Sequence, residues 1–334
     1  MKSLLSIQSN VAHGYVGGRA ATFPLQYLGW NVDNINTVNF SNHTGYGHFQ
    51  GSAISGSELT SLFKGLHQIN CKYDVVILGY IPSADLIDIV SGELIKLKEA
   101  NVKTLYVCDT VMCDQGHIYV DKSCVQAYRR LLATGVADVI TPNQFELELL
   151  YGQSITNSQT LRDAIAYMHN TYKISYVVLS SLSCSVLDID AQDLICCVVS
   201  CSPLTHEQSN DTNNGLGNGY TPALQVFCIT EIKSYFTGVG DLFTALLADK
   251  LYASPDNVGR AVNQVLTIMS NVLRLTHQLG VEEYKRYQYE LSADLLAEGR
   301  MNDGDSMRFF ELRVVQSREY YDYKGDGVFE SINI

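Results

Sequence analysis

The residues best placed to do chemistry stand in Phe236-Thr237-Gly238-Val239-Gly240-Asp241-Leu242-Phe243. Two glycines one residue apart lead into an aspartate, and an apolar helical pattern (Leu242, Phe243, Leu246, Leu247) follows. A glycine-rich turn that opens a helix leaves backbone N–H groups unpaired and presents the positive end of the helix dipole, which suits an anion. An acid at that mouth can take a proton from a hydroxyl while the amides hold developing phosphate charge. A plainer reading stays open: a loop-to-helix junction with Asp241 where first-turn acids are favourable.

Other polar groups offer similar pairs of readings. Asn143-Gln144-Phe145-Glu146 has the spacing of a capping box. The same Asn and Glu, at a strand end, could orient a hydrated Mg²⁺, which takes one or two carboxylates and keeps waters and substrate phosphates. The two roles are compatible. Asp109 and Asp114 flank Thr110-Val111-Met112-Cys113 and either hold cations or satisfy turn amides. His13, His43 and His48 lack a spacing that specifies a metal, and His117 reads as a loop histidine. GxxxxGK[ST], GxGxxG and GxSxG are all absent.

These residues need elements to hold them. Leu4 to Ser9 reads as a first strand, followed by a glycine-rich bend (Gly14, Gly17, Gly18) and a helix over Ala20 to Leu28. Asn31 to Phe40 is a second strand, and Ser41 to His48 is a loop dense in hydroxyls, amides and imidazoles. The alternation then becomes regular. Helices are expected over Glu58 to Ile69 (capped by Ser57), Ala84 to Glu99, Asp121 to Ala133, Gln144 to Leu150 and Leu161 to Asn170. Strands are expected at Tyr73 to Gly79, Val102 to Cys108, Val136 to Ile140 and Ile174 to Leu179. Near-continuous apolar strands alternating with helices predict an α/β fold, a mostly parallel central sheet with helices on both faces. Ligands of such sheets bind beyond the carboxyl ends of the strands, where Ser9, Asp109, Thr141, Asn143, Ser180 and Ser181 lie.

Short strands are expected at Cys184 to Asp190 and Asp193 to Val199, and Leu224 to Ile232 reads as another strand. Between them, Cys201 to Thr221 reads as a flexible polar insertion, about residues 200–222. Asp256 to Leu279 and Tyr284 to Glu298 carry helical periodicity, Phe309 to Val315 reads as a late strand, and the last residues, 319–334, read as a tail. With no internal repeat and no linker, one domain over 1–318 is expected.

Composition narrows the function classes. A formal net charge of −12 argues against a nucleic-acid binder. No apolar run reaches the length of a membrane span, and the first residues lack a signal peptide's apolar run. The nine cysteines are scattered, Cys196-Cys197 and Cys201 coming closest to a cluster, and no CxxC occurs. They read as reduced thiols of a cytoplasmic, or also nuclear, protein.

With these residues in this order, the chain resembles pyridoxal kinase, of the ribokinase-like group of small-molecule kinases. The matching stretches are Ser6-Ile7-Gln8-Ser9, Gly14-Tyr15-Val16-Gly17, Arg19 to Gln26, Phe40-Ser41-Asn42-His43-Thr44-Gly45-Tyr46, Thr141 to Glu146 and Glu311 to Ser317. The resemblance implies phosphorylation of the 5′-hydroxymethyl group of pyridoxal, pyridoxine or pyridoxamine by MgATP. It implies Asp241 as base, with Gly238, Val239 and Gly240 as the amide hole. Ser9 and Thr44 would bond the pyridine substrate, with Val38, Phe40 and Tyr80 walling its ring. Asn143 and Glu146 would position Mg²⁺ and phosphates, and Asp109, Asp114 and Thr141 would sit around the nucleotide and cations, a monovalent one included. Ser180 and Ser181 would contact phosphates, and Ile232, Lys233, Ser234, Met269 and Leu273 would line the adenine site. A homodimer is implied as well. The chain departs from the family at Val239, where Thr is usual, at Thr110, where Pro is usual, and at Cys113, where Gly is usual. A catalytically weak relative that binds B6 compounds or ATP, and a hydroxymethylpyrimidine kinase, are the competing readings.

Overall fold

Val75–Leu78 is apolar and buried at every position, as a strand covered on both faces must be. In the computed structural model it lies in the interior of one large sheet. The structure describes residues 1–114, 116–191, 193–202, 221–291, 298–300 and 303–334.

The strands are β1 (Lys2–Val11), β2 (Trp30–Phe40), β3 (Gly51–Ala53), β4 (Val75–Leu78), β5 (Leu105–Cys108), β6 (Cys113–Asp114), β7 (His117–Ile118), β8 (Val139–Ile140), β9 (Tyr176–Ser183), β10 (Leu194–Cys201), β11 (Gln225–Thr230) and β12 (Ser331–Asn333). The helices are α1 (Gly18–Tyr27), α2 (Gly56–Gln68), α3 (Ala84–Ala100), α4 (Lys122–Ala133), α5 (Gln144–Tyr151), α6 (Ser158–Tyr172), α7 (Val239–Ala253), α8 (Val258–Leu291), α9 (Gly304–Met307) and α10 (Arg318–Tyr321). The large sheet runs β12-β11-β10-β9-β8-β5-β4-β1-β2-β3, while β6 and β7 form a separate hairpin. Every pairing from β2 across to β9 is parallel, and antiparallel pairs occur only at the two flanks.

Alternation along the strands feeds two cores. Val76 and Leu78 point into the one formed with α2, α3, α4, α5 and α6, and Val75 and Ile77 into the one formed with α1, α7 and α8. From β1 the chain steps outward to β2, then returns past β1 to β4. That reversal is a topological switch point, and the crevice beyond the strand ends there is where an open α/β sheet takes its ligand. Helix α7 has an unbroken buried run from Leu242 to Leu251, which fits a helix wedged between sheet and neighbouring helices.

Several expectations need correction. The N-cap of α2 is Ser55, not Ser57: its hydroxyl accepts from the Glu58 amide, completing a capping box. Cys184–Leu187 is a 3-10 turn rather than a strand and ends at Asp188 with φ 55°. Phe309 to Val315 forms turns. Its alternation is real, since Phe310, Leu312 and Val314 are buried, but the Arg313 amide donates to Thr276 Oγ1 of α8 instead of to a strand. Tyr284 continues α8 rather than opening a new helix. Residues 319–334 do not form a tail: Tyr321 is fully buried and β12 extends the sheet antiparallel to β11. Of the expected insertion, residues 203–220 lie outside the described residues, and Cys201 belongs to β10. The cysteine grouping also differs. Cys196 and Cys197 face opposite cores, and Cys196 instead meets Cys184 and Cys228, with Sγ–Sγ distances of 3.2 and 3.8 Å.

Candidate active site

Strand β2 bulges where its register with β1 shifts between Gln8 and Asn10, setting Thr37 and Val38 opposite the single residue Ser9 and breaking the ladder there. The chain then turns back so tightly that Gly17 (φ 53°) presses on Ser9; a Cβ there would overlap the Ser9 carbonyl oxygen. The Gly17 amide donates to the Asp241 carboxylate. Helix α7 begins beside this bend. Gly238 caps it at φ 77°, and no side chain caps the first turn, so the opening amides face the crevice without an intrahelical partner.

Carboxylates converge on that helix start. Asp109, just past β5, is 6% exposed, and a Cβ on Gly240 would stand 3.5 Å from its Oδ2. Thr244 Oγ1 lies 3.4 Å from the same oxygen, donating to it, and the Thr141 and Thr244 hydroxyls are 2.9 Å apart. Glu146 is buried and accepts from the amides of Met112 (2.9 Å) and Asn143 (3.0 Å). The Asn143 side chain accepts from the Glu146 amide and donates to the Cys113 carbonyl at 2.7 Å. The capping box is therefore present, and it also pins the loop after β5. Burial pushes the Asp109 carboxyl well above the usual range, and Glu146 and Asp241 push it further; the Thr244 and Thr141 hydroxyls oppose them. Burial raises Asp241 too, against the Gly17 amide.

Asp109, Glu146 and Asp241 thus bring three carboxyl groups close to one another. The oxygen donors are those of a hard cation. Thr110 Oγ1, fully buried beside Asp109, has no hydrogen-bond partner among the described residues. Among the described residues there is also no ready-made cage of His, Cys, Asp or Glu ligands. The donor set thus fits a cation that keeps waters or phosphate oxygens as its other ligands. The side chain of Asp114 lies outside the described residues.

The crevice walls on the β1–β2 side are also in place. Ser9 and Val38 are buried, and Phe40 pairs in register with Val11 and packs against Phe49 with ring centroids 4.8 Å apart and the rings tilted by 52°. Tyr80 follows β4 and is held by Thr37 Oγ1, which donates to its carbonyl at 2.6 Å. Thr44, itself exposed, opens a 3-10 turn, Thr44–Tyr46, whose cap His43 accepts from the Gly45 amide through Nδ1. On the other side, the Ser180 amide and hydroxyl both donate to the Pro142 carbonyl, at 2.9 and 3.3 Å, which joins β9 to the Thr141–Asn143 strand end. Ser181 follows it, half-buried.

The residues expected around adenine are less gathered. Lys233 is exposed and paired with Asp193 at 2.8 Å. Ile232 precedes it, and Ser234 Oγ accepts from the Gly299 amide. Met269 is a core residue, 4% exposed, and Leu273 packs against the same core as Val239 and Ile229.

Sequence reasoning missed Thr244 and Gly17 as parts of this site. Thr244 sits three residues past Asp241, one helical turn on, and that spacing was the available signal.

Comparison with known proteins agrees with this geometry. Residues 58–231 match the family model for phosphomethylpyrimidine kinase. The chain is 35% identical over 317 residues to pyridoxal kinase of Arabidopsis thaliana, covering 95% of this chain and 90% of that one. It is 37% identical over 287 residues to pyridoxal kinase of Bos taurus, covering 82% and 85%. The solved structure of pyridoxal kinase from Leishmania donovani in complex with ADP and pyridoxamine superposes with a TM-score of 0.79 at 29% identity, over the whole of both chains. A crevice of this build, with relatives of this identity and coverage, places the chain in the pyridoxal kinase family.

Proposed function

We propose that the chain transfers the terminal phosphoryl group of ATP to the 5′-hydroxymethyl group of pyridoxal, pyridoxine and pyridoxamine. The observation that carries this reading is Asp241 at the start of α7, its carboxylate held by the Gly17 amide, beside open helix-start amides and next to Asp109. Phosphoryl transfer asks a protein chiefly for positioning and charge stabilisation. Asp241 accepts the hydroxyl proton, and the amides of Gly238, Val239 and Gly240 hold charge on the migrating group. Ser9 and Thr44 orient the pyridine ring, which Val38, Phe40 and Tyr80 enclose. Asp109, Thr141, Asn143 and Glu146 would hold Mg²⁺ and a monovalent cation with their waters, supplying positive charge to the phosphates. Ser180 and Ser181 would meet phosphate oxygens, and Ile232, Lys233, Ser234, Met269 and Leu273 the adenine side.

A homodimer, supported by the family resemblance, and a cytoplasmic or also nuclear location, supported by the scattered thiols, belong to the same reading; sedimentation velocity tests the dimer. No helix among the described residues is long and apolar enough to cross a membrane. The decisive experiment is ADP release coupled to a panel of acceptors. Turnover with B6 vitamers that exceeds turnover with hydroxymethylpyrimidine supports the proposal. Thermal stabilisation by pyridoxal or MgATP without turnover would make the chain a binding relative instead.

A further inference from the structure

We propose that Glu311 is a positioning residue for phosphoryl transfer, locking together the three loops that build the site. It is 6% exposed and lies far from those loops in sequence. Its Oε2 accepts from the Tyr15 amide at 2.9 Å and from Thr237 Oγ1 at 3.3 Å, and its Oε1 accepts from Tyr46 Oη at 2.6 Å. Tyr15 belongs to the glycine bend that delivers the Gly17 amide to Asp241. Thr237 immediately precedes Gly238, and Tyr46 ends the turn that begins at Thr44. One carboxylate therefore fixes the base's hydrogen-bond donor, the amide hole and the acceptor-side loop relative to one another.

The chemistry of the three partners explains why an acid stands there. In this arrangement each is a donor, and an ionised carboxylate is acceptor-only with about four lone-pair sites. Among the described residues no Lys, Arg or His forms an ion pair with Glu311, so its charge is spent on these hydrogen bonds. Its own support is firm: Phe310 and Leu312 on either side are buried, and the next amide, of Arg313, is bonded to α8. Space is tight as well, since a Cβ on Gly14 would come 2.6 Å from the carboxylate. Charge-assisted hydrogen bonds of this kind are about twice as strong as neutral ones. A displacement of about 1 Å in groups that position reactants can cost about 100-fold in rate.

The inference rests on the kinase reading, and the test separates the two. Steady-state kinetics with pyridoxal and MgATP are measured for wild type, Glu311→Ala and Glu311→Gln, per folded molecule as judged by thermal melting. Glu311→Ala is expected to lower kcat about 10- to 100-fold while KM for MgATP stays within about threefold. Glu311→Gln keeps a carbonyl for Tyr15 and Thr237 and can donate to Tyr46, so it is expected to recover much of the loss. Should Glu311→Ala not fold, the Tyr46→Phe/Thr237→Val double variant, which removes two arms and keeps the carboxylate, is expected to show the same kcat-weighted loss. An active wild type with kcat of the variant within twofold, a loss confined to KM, or a Gln variant no better than Ala overturns the positioning role alone. An inactive wild type overturns the kinase reading and this one together.

Discussion

Gly238 and Tyr15 touch backbone to backbone: a Cβ on Gly238 would overlap the Tyr15 carbonyl oxygen, and its φ of 77° disfavours any other residue. The contact seats the start of α7 on the glycine bend. Gly238→Ala must either shift the bend or tilt the helix start, beyond the roughly 1–3 kcal/mol that a left-handed non-glycine conformation costs. We expect kcat to fall by about 100-fold or more and the melting temperature to drop by at least about 4 °C. Gly240→Ala is the control for stability. Its Cβ would meet only Asp109 Oδ2, at an ordinary 3.5 Å, and its melting temperature should change little. Equal melting temperatures for all three proteins would refute the contact's importance.

How much of this was legible in the sequence varies by element. The apolar strands and the helices between them were, because β4 and its neighbours are buried on both faces and cannot tolerate polar alternation. The capping box at Asn143 and Glu146 was, because both partners are local. Glu311 was not, since its partners lie in distant loops, and no local pattern marks a carboxylate that accepts from three of them. The alternation of Phe310, Leu312 and Val314 imitated a strand because turns can bury alternate residues against a helix. The last strand, β12, was hidden by its polar, exposed composition, which suits an edge.

Asp241→Asn tests the base. The amide keeps size and can still meet the Gly17 amide through its oxygen, so folding should persist. Loss of proton acceptance is expected to cut kcat about 100-fold or more. MgADP should still raise the melting temperature, because nucleotide binding does not need the base. Turnover near the wild-type value would remove Asp241 from the mechanism.

Val239→Thr places the family's usual hydroxyl on the amide hole. Val239 is partly buried against the core that includes Leu246 and Met269. An unpaired hydroxyl there costs about 1–3 kcal/mol unless it turns toward the crevice. Turnover is expected to stay the same or rise, with a small loss in melting temperature. A large fall in kcat would show that the loop works differently from its relatives' loops.

His43 gives a pH signature. Burial lowers its pKa to about 4, and its neutral Nδ1 accepts the Gly45 amide. Its unfolded value is about 6.5, so the unfolded chain binds more protons between these values and stability rises with pH. The contribution is complete above about pH 6.5 and is lost as pH falls toward 4. His43→Gln should flatten the decline in melting temperature between about pH 7 and pH 5. An unchanged slope would mean that the ring charges without cost.

Asp109→Asn tests the carboxyl cluster. Glu146 and Asp241 stand near a buried carboxyl whose folded pKa lies above its unfolded one. The sign is therefore the reverse of His43. The folded state holds the Asp109 proton more tightly, so its contribution is fully favourable below the unfolded value of about 3.9 and is lost as pH rises through the folded pKa. In the absence of ligands, the amide removes that penalty and should raise the melting temperature at neutral pH. It should also weaken the stabilisation gained from Mg²⁺ with ADP, because the cation loses a carboxylate. Both shifts are read by thermal melting with and without MgADP. A variant that is less stable unliganded, and stabilised by MgADP as much as wild type, would show that Asp109 is a structural acid and not a cation ligand.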